Sequence, residues 1–281
     1  MQVALASCRS PDAGTNEDFV AASASVVVVL DGASAPPGVE TGCVHGTLWF
    51  VRRLGAALLD VLSTQTEQAL VDNLAQAIVN VNALHINACD LGHPGNPSAA
   101  IAIVREQQET IEFLLLGDTT VLLDESAGVR VVTDDWLQKV AGGEQAAQQQ
   151  ATGSATQGSR SAAVAGPTGY GRQDGFWRVS SNPDAVDYAV TGTIRRPGLR
   201  RAAALSKGAT RLADRFGLMD WPSFLDLLDK RGPETLIDRL RDAERSDPDG
   251  QRWPRGEAHD DATAVVCHFR DPARTGRGGR R

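Results

Sequence analysis

The segment SVVVVLDGAS, residues 25–34, carries an unbroken aliphatic run from Val26 to Leu30 and then stops at Asp31-Gly32. A strand that is apolar at every position, rather than at every second one, is buried on both faces, and Asp-Gly ends it in a turn. The period then changes. Over 41–63, Val44, Leu48, Val51, Leu54, Leu58 and Leu62 recur at three and four, as one helical face. A second helix is expected over about 67–90, with Leu70, Leu74, Ile78, Val81 and His85 on one side, and GHPGNPS at 92–98 ends it.

Strand patterns follow at 99–106, 110–118, 120–125 and 129–134, with loops short enough for an antiparallel meander. Residues 141–169 are Ala/Gln/Gly/Ser-rich and bury little, so they read as a flap or loop insertion within the domain. GFWRVSS (175–181) and LRRAAALS (199–206) are the next strands. Helices are expected at 208–216 and 221–246, with Pro233 opening a new helix at its first turn. DATAVVCHF (261–269) is the last strand, and the Arg/Gly-rich tail 271–281 is expected to be disordered. Helices grouped between runs of strands, without βαβ alternation, define an α+β layered domain over 1–270.

Charge and cysteine usage narrow the function. The net charge is −7, which favours neither nucleic acid nor an anionic membrane. No segment reaches the roughly 18 apolar residues of a membrane span, and the N-terminal stretch lacks the basic and apolar regions of a signal peptide. Cys8, Cys43, Cys89 and Cys267 form no C-x-x-C pair, so neither a zinc ribbon nor a thioredoxin motif is expected. Four dispersed thiols fit a reducing cytoplasm. The five histidines show no ligand spacing. His45 and His85 read as helix-face residues, and His259 as a neighbour of the acidic motif beside it.

Acidic residues recur at the ends of the apolar strands. They are Glu17 and Asp18 in TNEDFV, Asp31 in VLDGAS, Asp118 in LLLGDTTV, and the pair Asp260-Asp261 in EAHDDATAVV. Carboxylates held there can point into a common cleft. Clustered, they repel one another and need a shared cation. Oxygen ligands of this kind select Mg²⁺, Mn²⁺ or Ca²⁺ over zinc, and glycine after Asp31 lets a backbone carbonyl approach an ion.

The order NED, VLDGAS, LLGDTTVLL, SKGATRL, HDDATAVV resembles the metal-dependent protein phosphatases of the 2C type (PPM), in their compact bacterial form, over essentially residues 1–270. The resemblance implies a four-layer αββα sandwich of two antiparallel sheets flanked by helices. It also implies hydrolysis of phosphoserine and phosphothreonine on protein substrates of a Ser/Thr kinase, with two or three Mn²⁺ or Mg²⁺ ions. Carried over, it makes Asp31 the bridging ligand, with the Gly32 carbonyl on one ion. Glu17 and Asp260 hold the second ion, Asp118 helps hold a third, and Asp18 orients the attacking water. Metal-activated water then attacks phosphorus in line.

Two positions depart from the family pattern. Arg9 is the nearest arginine to the place where some members grip phosphate. Lys207, in SKG, stands where the family has a metal-ligating Asp, a change of two charge units. A protonated lysine cannot ligate, but its ammonium can pair with Asp118 and Asp260 and mimic a cation. Fewer ions are then expected, and activity is expected to be weakened. The competing readings are a pseudophosphatase acting as a regulatory binding module, and a non-enzymatic domain whose acids are solvated turns.

Overall fold

The structure, a computed structural model, describes residues 1–35, 38–134, 172–173 and 176–269. The expected flap at 141–169 and tail at 271–281 lie outside these residues. Twelve strands are formed among the described residues. They are β1 (Gln2–Cys8), β2 (Phe19–Ala22), β3 (Val26–Ala33), β4 (Ser98–Glu106), β5 (Thr110–Leu116), β6 (Thr120–Glu125), β7 (Gly128–Thr133), β8 (Arg172–Gln173), β9 (Phe176–Trp177), β10 (Val190–Arg195), β11 (Leu199–Leu205) and β12 (Ala262–His268). The α-helices among the described residues are α1 (Gly46–Thr64), α2 (Leu70–His85), α3 (Lys207–Asp214), α4 (Trp221–Arg231) and α5 (Pro233–Arg245).

One five-stranded sheet runs β1-β12-β11-β6-β7 and the other β10-β5-β4-β3-β2, every neighbouring pair antiparallel. β8 and β9 form a separate short ribbon. The sheets stack face to face, and alternation along single strands shows it. Val26, Val28 and Leu30 of β3 pack with α1 and α2, while Val27 and Val29 pack against the other sheet. In β12, Ala262, Ala264 and Val266 meet the layer of α3–α5, and Val265 and Cys267 face inward between the sheets. The result is the expected αββα order of layers. Each fully buried valine or leucine stabilises it by about 1.5–3 kcal/mol relative to exposure.

The expected meander over 99–134 is corrected in one respect. β4 pairs with β5 and β6 with β7, but β5 and β6 lie in different sheets. The chain changes sheets at Gly117-Asp118-Thr119. Gly117 has φ +93°, and a Cβ there would lie 2.7 Å from that of Ala100, so the crossing needs glycine. Asp118 is thereby set at the joint between the two sheets. Within the expected strand at 175–181, the described residues form the two-residue β9, followed by a bridge from Val179 to Ala99.

Candidate functional site

Four carboxylates meet where β2, β3, β6 and β12 reach the same end of the sandwich. Asp31 closes the buried part of β3, and Asp118 precedes β6. Asp260 precedes β12, and Asp18 leads into β2. Asp31 feels the charges of Asp18, Asp118 and Asp260 together. The structure therefore brings together the residues that the sequence motifs scatter over some 240 positions.

Burial and mutual repulsion control their protonation. Desolvation first, then Asp18, Asp118 and Asp260, push Asp31 well above the ordinary carboxylate range, although the Lys207 backbone N–H opposes this. Asp18 is pushed up to about 7, chiefly by burial, against hydrogen bonding to Thr263 and Ser206. Its Oδ2 is buried with no hydrogen-bond partner among the described residues. Asp260 is raised by burial and held back by Arg211.

Three cations meet this acidity. Lys207, the first residue of α3, donates its backbone N–H to Asp31 Oδ2 at 2.8 Å and places Nζ 3.0 Å from Asp118 Oδ2. Burial pulls the lysine pKa down, but the charge of Asp118 and its hydrogen bond more than reverse this, so the ammonium stays charged. Arg178 pairs with Asp118 at 3.2 Å. Arg211 lies one helical turn beyond Lys207 and reaches Asp260 Oδ2 at 2.9 Å. The expected pairing of Lys207 with Asp260 is thus corrected: Arg211, better placed on α3, makes that pair. Sequence reasoning passed over Arg178 and Arg211. Their only signal was position, one just after the FW pair and the other four residues after Lys207.

The remaining motif residues divide. Glu17 accepts from Ser34 Oγ at 2.7 and 2.8 Å, and Ser34 Oγ also lies 2.8 Å from Thr47 Oγ1, so the carboxylate sits beside β3. A Cβ on Gly32 would come within 2.5 Å of the Glu17 carbonyl oxygen, so glycine permits this close passage. Asp261 adds its charge to Asp18 and Asp260 but directs its oxygens to backbone donors. Its two oxygens accept the Ser10 and Glu17 backbone N–H groups at 2.6 Å each, which pins the loop carrying Glu17 and Asp18. A Cβ on Gly208 would overlap the Asp261 carbonyl oxygen, so the KG dipeptide lets α3 start against β12. Arg9 is exposed and donates to the Ala13 carbonyl at 2.5 Å, within its own turn. His259 bonds Asp12 at 2.7 Å.

His85 lies on the buried face of α2 with Leu70, Leu74, Ile78 and Val81, as expected, whereas His45 corrects the helix-face reading, because it immediately precedes α1. Both rings turn toward the cysteines: His85 toward Cys43, and His45 toward Cys43 and Cys89.

The acidic residues suit a hard divalent cation. Asp18 Oδ2 is a buried acceptor with no donor, and Asp31 is raised by three neighbouring carboxylates, which is the condition a shared ion relieves. The Asp118 side is already neutralised by Lys207 and Arg178.

No family model and no curated protein matches the chain's sequence. Solved structures match its fold. The PPM Ser-Thr phosphatase MsPP from Mycobacterium smegmatis, in complex with cacodylate, matches with a TM-score of 0.59 at 15% identity, over 96% of this chain and 99% of that one. The serine/threonine phosphatase Stp1 from Staphylococcus aureus matches at 0.62 and 11% identity, over 96% of each chain. The catalytic domain of the serine threonine protein phosphatase PstP, in complex with two manganese ions, matches at 0.58 and 15% identity, over 96% of this chain and 98% of that one. The chain has the fold of the PPM-type Ser/Thr phosphatases.

Proposed function

We propose that this protein is a divalent-metal-dependent phosphatase acting on phosphoserine or phosphothreonine in protein substrates in the cytoplasm, with activity held low by Lys207. The observation that carries the reading is the convergence of Asp18, Asp31, Asp118 and Asp260 at one end of the sandwich, with Asp18 Oδ2 left without a partner. The PPM fold, shared with solved Ser/Thr phosphatases of which one is in complex with two manganese ions, supports it.

Asp31, Glu17, Asp260 and the Gly32 carbonyl would hold the metal, with the unpartnered Asp18 Oδ2 beside them to orient water. When bound, a divalent ion supplies Lewis-acid activation of water and offsets charge on the phosphoryl oxygens. The chain's own residues set the stage for it. Asp261 fixes the loop bearing Glu17 and Asp18. Arg211, itself braced by Glu244, orients Asp260. The Lys207 side chain is half exposed, so its ammonium stands at the mouth of the site beside the start of α3, where an incoming phosphate monoester meets positive charge. The same ammonium neutralises Asp118 and removes it as a ligand, leaving room for fewer ions.

A second reading, a pseudophosphatase that binds a partner without turnover, is favoured by the 3.0 Å Lys207–Asp118 pair alone. Hydrolysis of p-nitrophenyl phosphate across a Mn²⁺ titration separates the two. Turnover that depends on Mn²⁺ and disappears in Asp31→Ala supports the phosphatase. Metal binding without turnover, in both the natural chain and Lys207→Asp, supports the binding module.

A further inference from the structure

We infer that Cys43, His45, His85 and Cys89 form a second metal site, a tetrahedral structural zinc centre separate from the acidic cleft. Four potential ligand atoms, two Sγ and two Nδ1, lie within 4.8 Å of one another. Cys43 Sγ is 3.8 Å from His45 Nδ1, 3.7 Å from His85 Nδ1 and 3.6 Å from Cys89 Sγ, and Cys89 Sγ is 3.3 Å from His45 Nδ1. With Zn–S near 2.3 Å and Zn–N near 2.0–2.1 Å, the edges of a tetrahedral Cys₂His₂ site are about 3.3–3.8 Å. Four of the six separations fall on those edges, and the other two, from His85 to His45 and to Cys89, lie within 4.8 Å.

The surroundings form a built site. Cys43 and His85 are both only 5% exposed, while Cys89 is half-buried and His45 is open to solvent, which gives an ion a way in. Trp49 walls both imidazoles, stacked on His45 at 4.3 Å and tilted against His85 at 4.9 Å. The two ligand segments are joined by a backbone hydrogen bond, Asp90 N–H donating to the Gly42 carbonyl at 2.9 Å, and the Asn96 side chain holds the Asp90 carbonyl at 2.8 Å. Ligands are therefore presented from two already docked segments, as C-x-H before α1 and H-x₃-C at the end of α2.

The donor set fixes the class of ion and its role. Two thiolates and two imidazoles suit Zn²⁺, in contrast to the all-oxygen acidic site. Four protein ligands complete the coordination and leave no position for substrate, so the ion holds structure. Binding releases the two thiol protons to solvent, and no redox change is involved. The clasp ties the loop leaving β3, just beyond Asp31 and Ser34, to α1 and to the end of α2.

The test uses the full chain prepared under reducing conditions. Zinc content by mass spectrometry is expected to be one ion per chain, and to fall on the order of tenfold in Cys89→Ser, a half-buried position that tolerates the change. Cobalt added to the metal-stripped chain is expected to give the strong visible bands and near-ultraviolet thiolate charge transfer of a tetrahedral site. Those bands should persist in Asp31→Asn and vanish in Cys89→Ser. Zinc content equal in the natural chain and Cys89→Ser would overturn the proposal. So would a weak octahedral cobalt spectrum indifferent to Cys89→Ser, or a Cys43–Cys89 disulfide in the reduced preparation. Phosphatase activity enters none of these readings.

Discussion

Lys207 stands at the first position of α3, where its backbone and its side chain act in opposite ways. The N–H holds Asp31 in place, and any residue but proline would supply it. The ammonium occupies Asp118, and only a cation does that. At about 3 Å a reversal of charge is worth a few kcal/mol in a partly solvated site. Lys207→Asp is therefore expected to raise Mn²⁺-dependent hydrolysis at limiting Mn²⁺ by about tenfold or more, read from initial rates. Asp18 provides a separate check through pH. Its folded pKa, about 7, lies above the unfolded value, so the folded metal-free chain binds more protons than the unfolded chain in between. Its contribution to stability is greatest below the unfolded pKa and is lost as pH rises through about 7. In chelator, Asp18→Asn is expected to be more stable than the natural chain at about pH 8, by on the order of a few kcal/mol, with the difference shrinking toward about pH 5. Melting curves across that range measure it. Asp261 has the reverse character. Asp261→Ala strips two backbone N–H groups of their acceptor and is expected to cost about 2–3 kcal/mol in urea unfolding.

The elements differ in how openly the sequence declares them. β3 and β12 were clear, because continuous apolar runs have few places to go except between two layers. α1 and α2 followed from period alone. The sequence does not declare β1, since as an edge strand its residues are at most half-buried and its apolar run is only the short Val3–Ala6, half of it alanine. β10 was missed because Val190–Arg195 is half polar and also lies at a sheet edge. The jump between sheets at Gly117 is a long-range fact that a local pattern cannot carry. The acidic cluster was legible because each carboxylate sits at a strand end, and strand ends gather. Cys43, His45, His85 and Cys89 were not, because 39 residues separate the two ligand pairs and neither pair has a familiar spacing. One further element-level contact holds the acidic site. Glu244 of α5 is fully buried between Arg211 and Arg241, at 3.1 and 2.7 Å, and Arg241 also donates to the Asp260 carbonyl at 2.7 Å. Removing one member of a buried ion network leaves charge uncompensated. Glu244→Gln is expected to destabilise by about 3–5 kcal/mol and to lower activity through loss of Asp260 positioning. Denaturant unfolding alongside the Mn²⁺ dependence of rate tests both.

Taken as a whole, the molecule has two helical layers that each pack on their own sheet and one apolar seam between the sheets. The carboxylates gather at an end of that seam, where strands from both sheets stop and a hard cation can be shared. No helix among the described residues is long and apolar enough to cross a membrane. Under the function proposed above, that end of the sandwich is a working metal-dependent phosphatase site. The most direct measurement is release of inorganic phosphate from a phosphothreonine peptide by the full chain, with Mn²⁺ or chelator, beside Asp31→Ala and Lys207→Asp. The expected result is slow release that needs Mn²⁺, falls by on the order of a hundredfold or more in Asp31→Ala, and rises in Lys207→Asp. Release indifferent to Mn²⁺ and to Asp31→Ala, or none from either the natural chain or Lys207→Asp, would contradict it.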